Sequence, residues 1–289
     1  MAKNTKIEWA TATWNPFIGC TKVSPACDNC YAERWAKRCG RDFNKVVRSA
    51  QSSFIAPLKW KEPQQIFVCS LSDFFHDSVN PFYRLAACAI MEDAPRHTYM
   101  LLTKRPENIM RHLAGTIWAK CIPENVWIGV TAENQEQADK RIPLLLQVPA
   151  KVRFVSCEPL LGPVDLWGAR YEKSPGCYTS AFAWGDGIKW VIAGGESGPH
   201  ARPMHPDWPR ALRDQCAAAG VPFMFKQWGE WAPADQCEPG LEFLDYAQSV
   251  GPYGGTVIDY GPTRYGKSHT GRLLDGREHN DVPGGLTKP

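Results

Sequence analysis

Val126-Trp127-Ile128-Gly129-Val130-Thr131-Ala132-Glu133 is an unbroken apolar run that ends in polar residues, and Asn134 follows it. A strand with one wet face alternates apolar and polar residues. An unbroken run belongs to a strand buried on both faces, as in parallel sheets. Asn134 can cap a helix that continues through about Leu146. Run and helix together read as one strand–helix unit.

The unit recurs on both sides. Upstream, Gln65-Ile66-Phe67-Val68-Cys69-Ser70-Leu71-Ser72-Asp73 is an apolar run ending in small polar residues, and a helix follows over 81–93, opening on Pro81. Thr98-Tyr99-Met100-Leu101-Leu102-Thr103-Lys104-Arg105 repeats the pattern before a helix over 106–113. Downstream, 151–159, 189–197 and 222–229 read as strands, and a helix over 208–219 closes on Gly220. With the run 13–18 this makes about seven strands, most followed by a helix, so the expected fold is α/β, a partial or complete (β/α) barrel. An open doubly wound sheet fits less well, because no Gly-rich dinucleotide turn follows the first strand.

Two segments break the rhythm. Residues 161–188 hold several glycines and prolines and no helical period, which predicts a long loop in place of a crossover helix. From Glu230 onward the chain is rich in Gly and Pro. The expected organisation is a barrel over 1–230 and an irregular extension over 231–289 packed on it.

The chain has 289 residues, 44% hydrophobic and 22% charged, enough for a full core. A net charge of +3 is too small to demand a polyanionic partner. No apolar run is long enough to span a bilayer, and no apolar stretch backs Met1–Lys6 as a secretory signal would require. A cytoplasmic protein without a membrane partner, and a monomer, is expected. Eleven cysteines, an odd number, fit a reducing setting with free thiols. Cys39, Cys88, Cys121 and Cys216 read as small buried hydrophobes.

Three other cysteines lie close together. Trp14-Asn15-Pro16-Phe17-Ile18-Gly19-Cys20 precedes a loop and then Cys27-Asp28-Asn29-Cys30-Tyr31-Ala32-Glu33-Arg34. Three thiolates on one loop can hold a soft metal or an iron–sulfur cluster, and three is one short of a closed site. A structural zinc would need Cys39 or a histidine as fourth ligand. A [4Fe–4S] cluster with one open iron, in loop 20–30, fits the count better. Beyond it, 31–39 has helical spacing and a basic face of Arg34, Lys37 and Arg38, continuing to Arg41, Lys45 and Arg48. This face is either simply solvated or a phosphate contact.

A (β/α) barrel carries its site at the C-terminal ends of its strands. Those ends hold Ser70, Ser72 and Asp73; Thr103, Lys104 and Arg105; Thr131 and Glu133; Glu158; Glu196; and Lys226, Gln227 and Trp228. Six polar strand ends facing a cysteine loop predict a ligand site, with barrel-mouth hydrogen bonding as the plain alternative.

Three cysteines after the first strand, the last followed by Tyr31, resemble the cluster loop of radical S-adenosylmethionine enzymes. Six residues separate Cys20 from Cys27, a wider gap than is usual there, and Asn29 stands where an aromatic is usual. Cys69-Ser70, Thr103-Lys104 and Thr131-Ala132-Glu133 are similar to strand ends of the spore photoproduct lyases, members that repair a thymine dimer in DNA. WNPFIGCTKVSPACDNCYAERW (14–35), LLTKRPENI (101–109) and VIAGGESGPHARP (191–203) resemble a phage and prophage family that carries a three-cysteine motif.

The resemblance implies a [4Fe–4S] cluster on Cys20, Cys27 and Cys30, and S-adenosylmethionine held by Ser70, Lys104 and Thr131. Ser72, Asp73, Glu133, Glu158 and Glu196 are further cofactor candidates. Cys69 would give a hydrogen atom to a substrate radical, unless it is only a buried strand cysteine. Arg34, Arg105, Arg202, Lys226, Gln227 and Trp228 are candidate contacts to substrate or DNA. The implied activity is hydrogen abstraction by a 5′-deoxyadenosyl radical, to modify or isomerise a substituted thymidine in phage DNA. One version moves an aminoacyl group from N-linked to C-linked attachment. DNA and an electron donor such as flavodoxin or ferredoxin are the implied partners, and host cytoplasm the implied location. Lesion repair, or a non-catalytic zinc-bearing nucleic-acid binding protein, are the alternatives.

Overall fold

The computed structural model describes residues 5, 7–174, 176–182, 187–233 and 262–285. Seven strands form one sheet: β1 (Ala12–Trp14), β2 (Gln65–Val68), β3 (Thr98–Thr103), β4 (Val126–Thr131), β5 (Arg153–Cys157), β6 (Trp190–Gly194) and β7 (Phe223–Gln227). They lie side by side in chain order and every neighbouring pair is parallel. A doubly wound sheet reverses its strand order at a switch point, and this one never does. The result is a curled, open sheet, the arrangement of a partial (β/α) barrel.

Among the described residues the helices longer than one turn are α1 (Tyr31–Arg38), α2 (Pro81–Asp93), α3 (Glu107–Leu113), α4 (Gln135–Leu146) and α5 (Asp207–Ala219). Their ends follow the expected chemistry. Asn80 Oδ1 accepts from Phe82 N at 2.9 Å and Asn134 Oδ1 from Gln137 N at 3.0 Å, each satisfying an orphan donor of a first turn. Gly220, at φ +65°, closes α5 in the left-handed conformation. The connection from β5 to β6 has no helix among its described residues. It carries an antiparallel hairpin, Arg170–Ser174 with Cys177–Ser180.

One strand expectation is corrected. The run 13–18 is not a single strand: β1 stops at Trp14, and Phe17–Ile18 pairs antiparallel with Val47–Arg48. Pro16 has no N–H to continue the parallel ladder, and the break turns the chain into the cysteine loop. Cys39 and Cys121 are exposed, whereas Cys88 and Cys216 are buried as expected.

Both sheet faces are buried, which explains the unbroken apolar runs. Val68, Leu101, Ile128, Val130, Val155 and Phe225 belong to a large core that includes residues of the helices. Trp9, Phe67, Met100, Trp127, Phe154, Trp190, Ile192 and Met224 form a second core on the other face. Its rings interlock, with Trp9 and Phe67 centroids 4.6 Å apart and Phe154 and Trp190 5.8 Å apart. A Cβ on Gly129 would lie 2.5 Å from the Phe154 ring, so glycine is required where that ring crosses β4. This aromatic layer floors the barrel.

Residues 279–281 cover part of the β7 edge. Phe225 N donates to His279 O at 3.0 Å and Asp281 N to Phe223 O at 3.3 Å. Pairing of this kind blunts an edge that would otherwise template association. Among the described residues no helix is long and apolar enough to cross a membrane.

Candidate functional site

Above the aromatic floor, the strand ends and the cysteine loop enclose a cavity of about 400 Å³. That is the size of a small-molecule or cofactor site. Trp9, Phe67 and Leu102 form apolar wall, and Cys69, Lys104, Thr131, Ser156, Glu158, Lys226 and Gln227 bring polar groups from β2 to β7. Cys20, Cys27 and Cys30 line the same cavity. Register pairs Thr131 with Ser156 across β4 and β5, so their side chains stand together on the inward face.

Five lining residues carry a buried polar atom with no hydrogen-bond partner among the described residues: Trp9 Nε1, Arg34 Nη1, Thr131 Oγ1, Ser156 Oγ and Gln227 Oε1. Burying such a group without a partner costs about 1–3 kcal/mol. Five around one cavity are what a ligand's own donors and acceptors would satisfy. Gln227 is held for this, because its Nε2 donates to Ser197 Oγ at 3.1 Å.

Cys69 follows β2 with φ +64°, a left-handed conformation rare for a residue with a Cβ. It is 3% exposed, and its thiol is pushed up to about 12, chiefly by burial. Its neighbour Ser70 exchanges hydrogen bonds with Asn15 at 3.0 and 3.2 Å, and Tyr31 Oη donates to Ser70 O at 2.6 Å. Ser72 Oγ donates to Phe17 O at 3.0 Å. Lys104 has no carboxylate partner among the described residues, so its ammonium is available to an anionic ligand group. Lys226 is paired with Glu158 at 2.6 Å and lies 3.9 Å from Glu8. Burial works to lower its pKa, but those two carboxylates outweigh it and raise it.

Several expected site residues instead hold the cysteine loop. Glu133 does not line the cavity. It is fully buried, paired with Arg141 Nη1 at 2.7 Å, and accepts from Ala26 N at 3.3 Å. Arg202 is likewise withdrawn from substrate contact: Nε and Nη2 grip the two Glu196 oxygens at 2.9 and 2.7 Å, and Nη2 donates to Pro25 O at 2.8 Å. Glu196 reaches the cavity wall, but its carboxylate also accepts from Asn29 Nδ2 at 3.1 Å. Asp73 accepts from Thr103 Oγ1, Lys104 N, Phe75 N and Arg105 Nη1, leaving little for a cofactor. Arg105 in turn donates to Thr21 O and Oγ1, both at 2.8 Å, and to Cys20 Sγ at 3.3 Å. Arg34 lines the cavity while Nη2 donates to Ser197 O at 3.1 Å. Trp228 is 1% exposed, packs on Phe225 and donates from Nε1 to Leu273 O at 2.8 Å, so it is core rather than a nucleic-acid contact.

Contributors that the sequence does not single out include Asn15, Asn29, Ser156 and Lys267. Ser156 could have been found by parity, two residues before Glu158 on the same strand face. Lys267 comes from the C-terminal segment and lies 3.8 Å from Glu8; nothing local in its sequence points to the cavity.

Among the described residues no three His, Cys, Asp or Glu side chains converge as a ready-made metal group. The donor set still suits a cluster, since three free thiols share one wall with orphaned polar atoms. Cys39 does not complete the set. Cys30 and Cys39 flank α1, and a rise of 1.5 Å per residue separates them by roughly 13 Å.

Comparison with curated proteins and with solved structures finds no match. A family described as "Protein of unknown function (DUF5131)" matches residues 4–283, and the chain belongs to that family.

Proposed function

We propose that this protein is a radical S-adenosylmethionine enzyme whose substrate is a substituted thymidine in DNA. The observation that carries the reading is the shared cavity: three free thiols and the ends of the parallel strands around about 400 Å³, with five buried polar atoms awaiting partners. Cys20, Cys27 and Cys30 would hold a [4Fe–4S] cluster. Ser70, Lys104 and Thr131 would hold S-adenosylmethionine, with Ser156 beside Thr131. Bound together, cluster and cofactor supply one-electron chemistry able to take a hydrogen atom from an unactivated carbon.

The chain's own residues do the rest. Lys104 offers an unpaired ammonium to a carboxylate. The floor of Trp9 and Phe67 excludes water from one side, which protects a reactive intermediate. Cys69 keeps its proton at neutral pH, so its Sγ holds a hydrogen that a substrate carbon radical could take, leaving a thiyl radical that one electron from the reductant and one proton would return to the thiol. Gln227 Oε1, Arg34 Nη1 and the Glu158–Lys226 pair are left to read the substrate.

The substrate half rests on the resemblance to phage proteins and spore photoproduct lyases, and on one surface. Lys37, Arg38, Arg41 and Lys45 are exposed, and Phe43, among them, lines the cavity. A basic segment there would hold phosphates while a base is flipped inward. The test is anaerobic incubation of reconstituted protein with S-adenosylmethionine, a reductant and DNA carrying aminoacylated thymidine. Mass spectrometry of the nucleosides should show an isomer of unchanged mass, with 5′-deoxyadenosine formed. Unaltered nucleosides and no 5′-deoxyadenosine would reject the proposal. Regenerated thymine in irradiated DNA would favour repair.

A further inference from the structure

The three cysteines are not equivalent. Cys20 Sγ receives a hydrogen bond from Arg105 Nη1 at 3.3 Å, while among the described residues neither Cys27 nor Cys30 has a side-chain hydrogen bond. The donor is a guanidinium in a buried setting. Arg105 and Asp73 are each 7% exposed at the side chain and pair at 3.3 Å.

Its aim is built from several elements. Asp73, beyond β2, is set by Thr103 Oγ1 at the end of β3, at 2.8 and 2.9 Å, and by Lys104 N at 3.1 Å. Thr103 Oγ1 also accepts from Arg105 N at 2.9 Å. Arg105 Nη2 is tied to both oxygens of Thr21, the residue after Cys20. Both arms of the fork are therefore used, one on the backbone and hydroxyl oxygens of Thr21 and the other between Asp73 and the sulfur. A guanidinium needed only to neutralise Asp73 would not have to reach the cysteine loop, 84 residues away in the chain.

We propose that Arg105 is a positioning residue that sets the reduction potential of the cluster through Cys20, an inference that rests on the cluster reading above. A positive donor on a ligating sulfur draws electron density from it and favours the state with one more electron. Hydrogen bonds to the sulfurs are among the known determinants of cluster potential. The other two cysteines lack this donor, so the effect enters at the Cys20 iron. Asp73 lowers the guanidinium's net field and fixes its direction, which makes the pair a tuned dipole rather than a free cation.

The experiment is an EPR-monitored redox titration of reconstituted wild-type protein, Arg105→Gln and Arg105→Lys, without S-adenosylmethionine, with iron and sulfide counted in each. At a fixed potential the reduced-to-oxidised ratio should fall about tenfold in R105Q, equal to 59 mV for one electron. R105K, which keeps a charge opposite Asp73 but loses the fork, should shift the same way by less. Should R105Q fail to fold, the wild-type protein labelled with ¹⁵N-arginine answers directly: electron–nuclear double resonance of the reduced cluster should show a coupled guanidinium nitrogen. Full cluster content with an unchanged ratio in the variants, or no nitrogen coupling in the wild type, overturns the assignment and leaves the cluster reading standing. Wild-type protein that takes up no iron and sulfide overturns both.

Discussion

Replacing Arg202 by Met tests whether the cysteine loop is held in place before any cofactor arrives. The substitution keeps the apolar stem and removes the grip on Glu196 at 2.7 and 2.9 Å, the bond to Pro25 O, and the 3.2 Å contact with Asp28. Glu196 is 6% exposed, so its carboxylate would be left in a nearly dry site. Removing one partner of a buried pair costs about 3–5 kcal/mol. Two donors would remain on Glu196, the Arg202 backbone N at 2.8 Å and Asn29 Nδ2 at 3.1 Å, which places the cost at the lower end. Asp28 is 61% exposed and adds little. A loss of about 3 kcal/mol lowers the midpoint of thermal unfolding by roughly 5 °C for a chain of this size. Hydrogen exchange of the metal-free protein should show faster exchange over residues 20–30. Adding Glu196→Gln should recover part of the loss, because the stranded charge is then gone. An unchanged midpoint and unchanged exchange in R202M would show that the clamp does not order the loop.

Three further outcomes follow from other contacts. Gly129→Ala forces a methyl against the Phe154 ring and should destabilise by about 1–3 kcal/mol, with Phe154→Leu restoring part of it in denaturant titrations. Thr131→Val and Ser156→Ala remove hydroxyls that bond nothing among the described residues, so the metal-free midpoint should hold or rise. Binding of S-adenosylmethionine to the reconstituted protein should nonetheless weaken about tenfold for each, close to the 1.4 kcal/mol that separates decades. The Cys69, Cys88 and Cys216 thiols are all raised by burial from 9.0 to about 12. The unfolded chain therefore releases these protons first, and stability should fall as pH rises above 9, by up to about 1.4 kcal/mol per pH unit for each thiol. Urea midpoints that stay level from pH 8.5 to 10.5 would contradict that.

The strands were legible because both their faces are buried, and the helices because Pro81, Asn134 and Gly220 punctuate them. The break at Pro16 is hidden in the sequence because Phe17 and Ile18 continue the apolar run, although they pair with a different partner. At the site, the sequence marks which residues end a strand but not which way each turns. Glu158 and Glu133 look alike in sequence; one pairs with Lys226 at the cavity and the other is consumed by Arg141. Arg202 reads as free for substrate because two of its partners, Pro25 and Asp28, lie far away in the chain, and its grip on nearby Glu196 depends on a loop conformation that the sequence does not show. Such pairings become visible only once the loop is folded over the strand ends.

The proposed function stands or falls on whether Cys20, Cys27 and Cys30 together hold an iron–sulfur cluster in this cavity. Iron, sulfide and zinc should be counted per chain after anaerobic purification and reconstitution, in the wild type and in the variant with all three cysteines replaced by alanine. Brown, oxygen-sensitive protein with about four irons and four sulfides, whose reduced EPR signal changes on adding S-adenosylmethionine, is expected of the wild type, and none of this of the variant. Colourless protein holding one tightly bound zinc, or the same iron content in the triple variant, would contradict it.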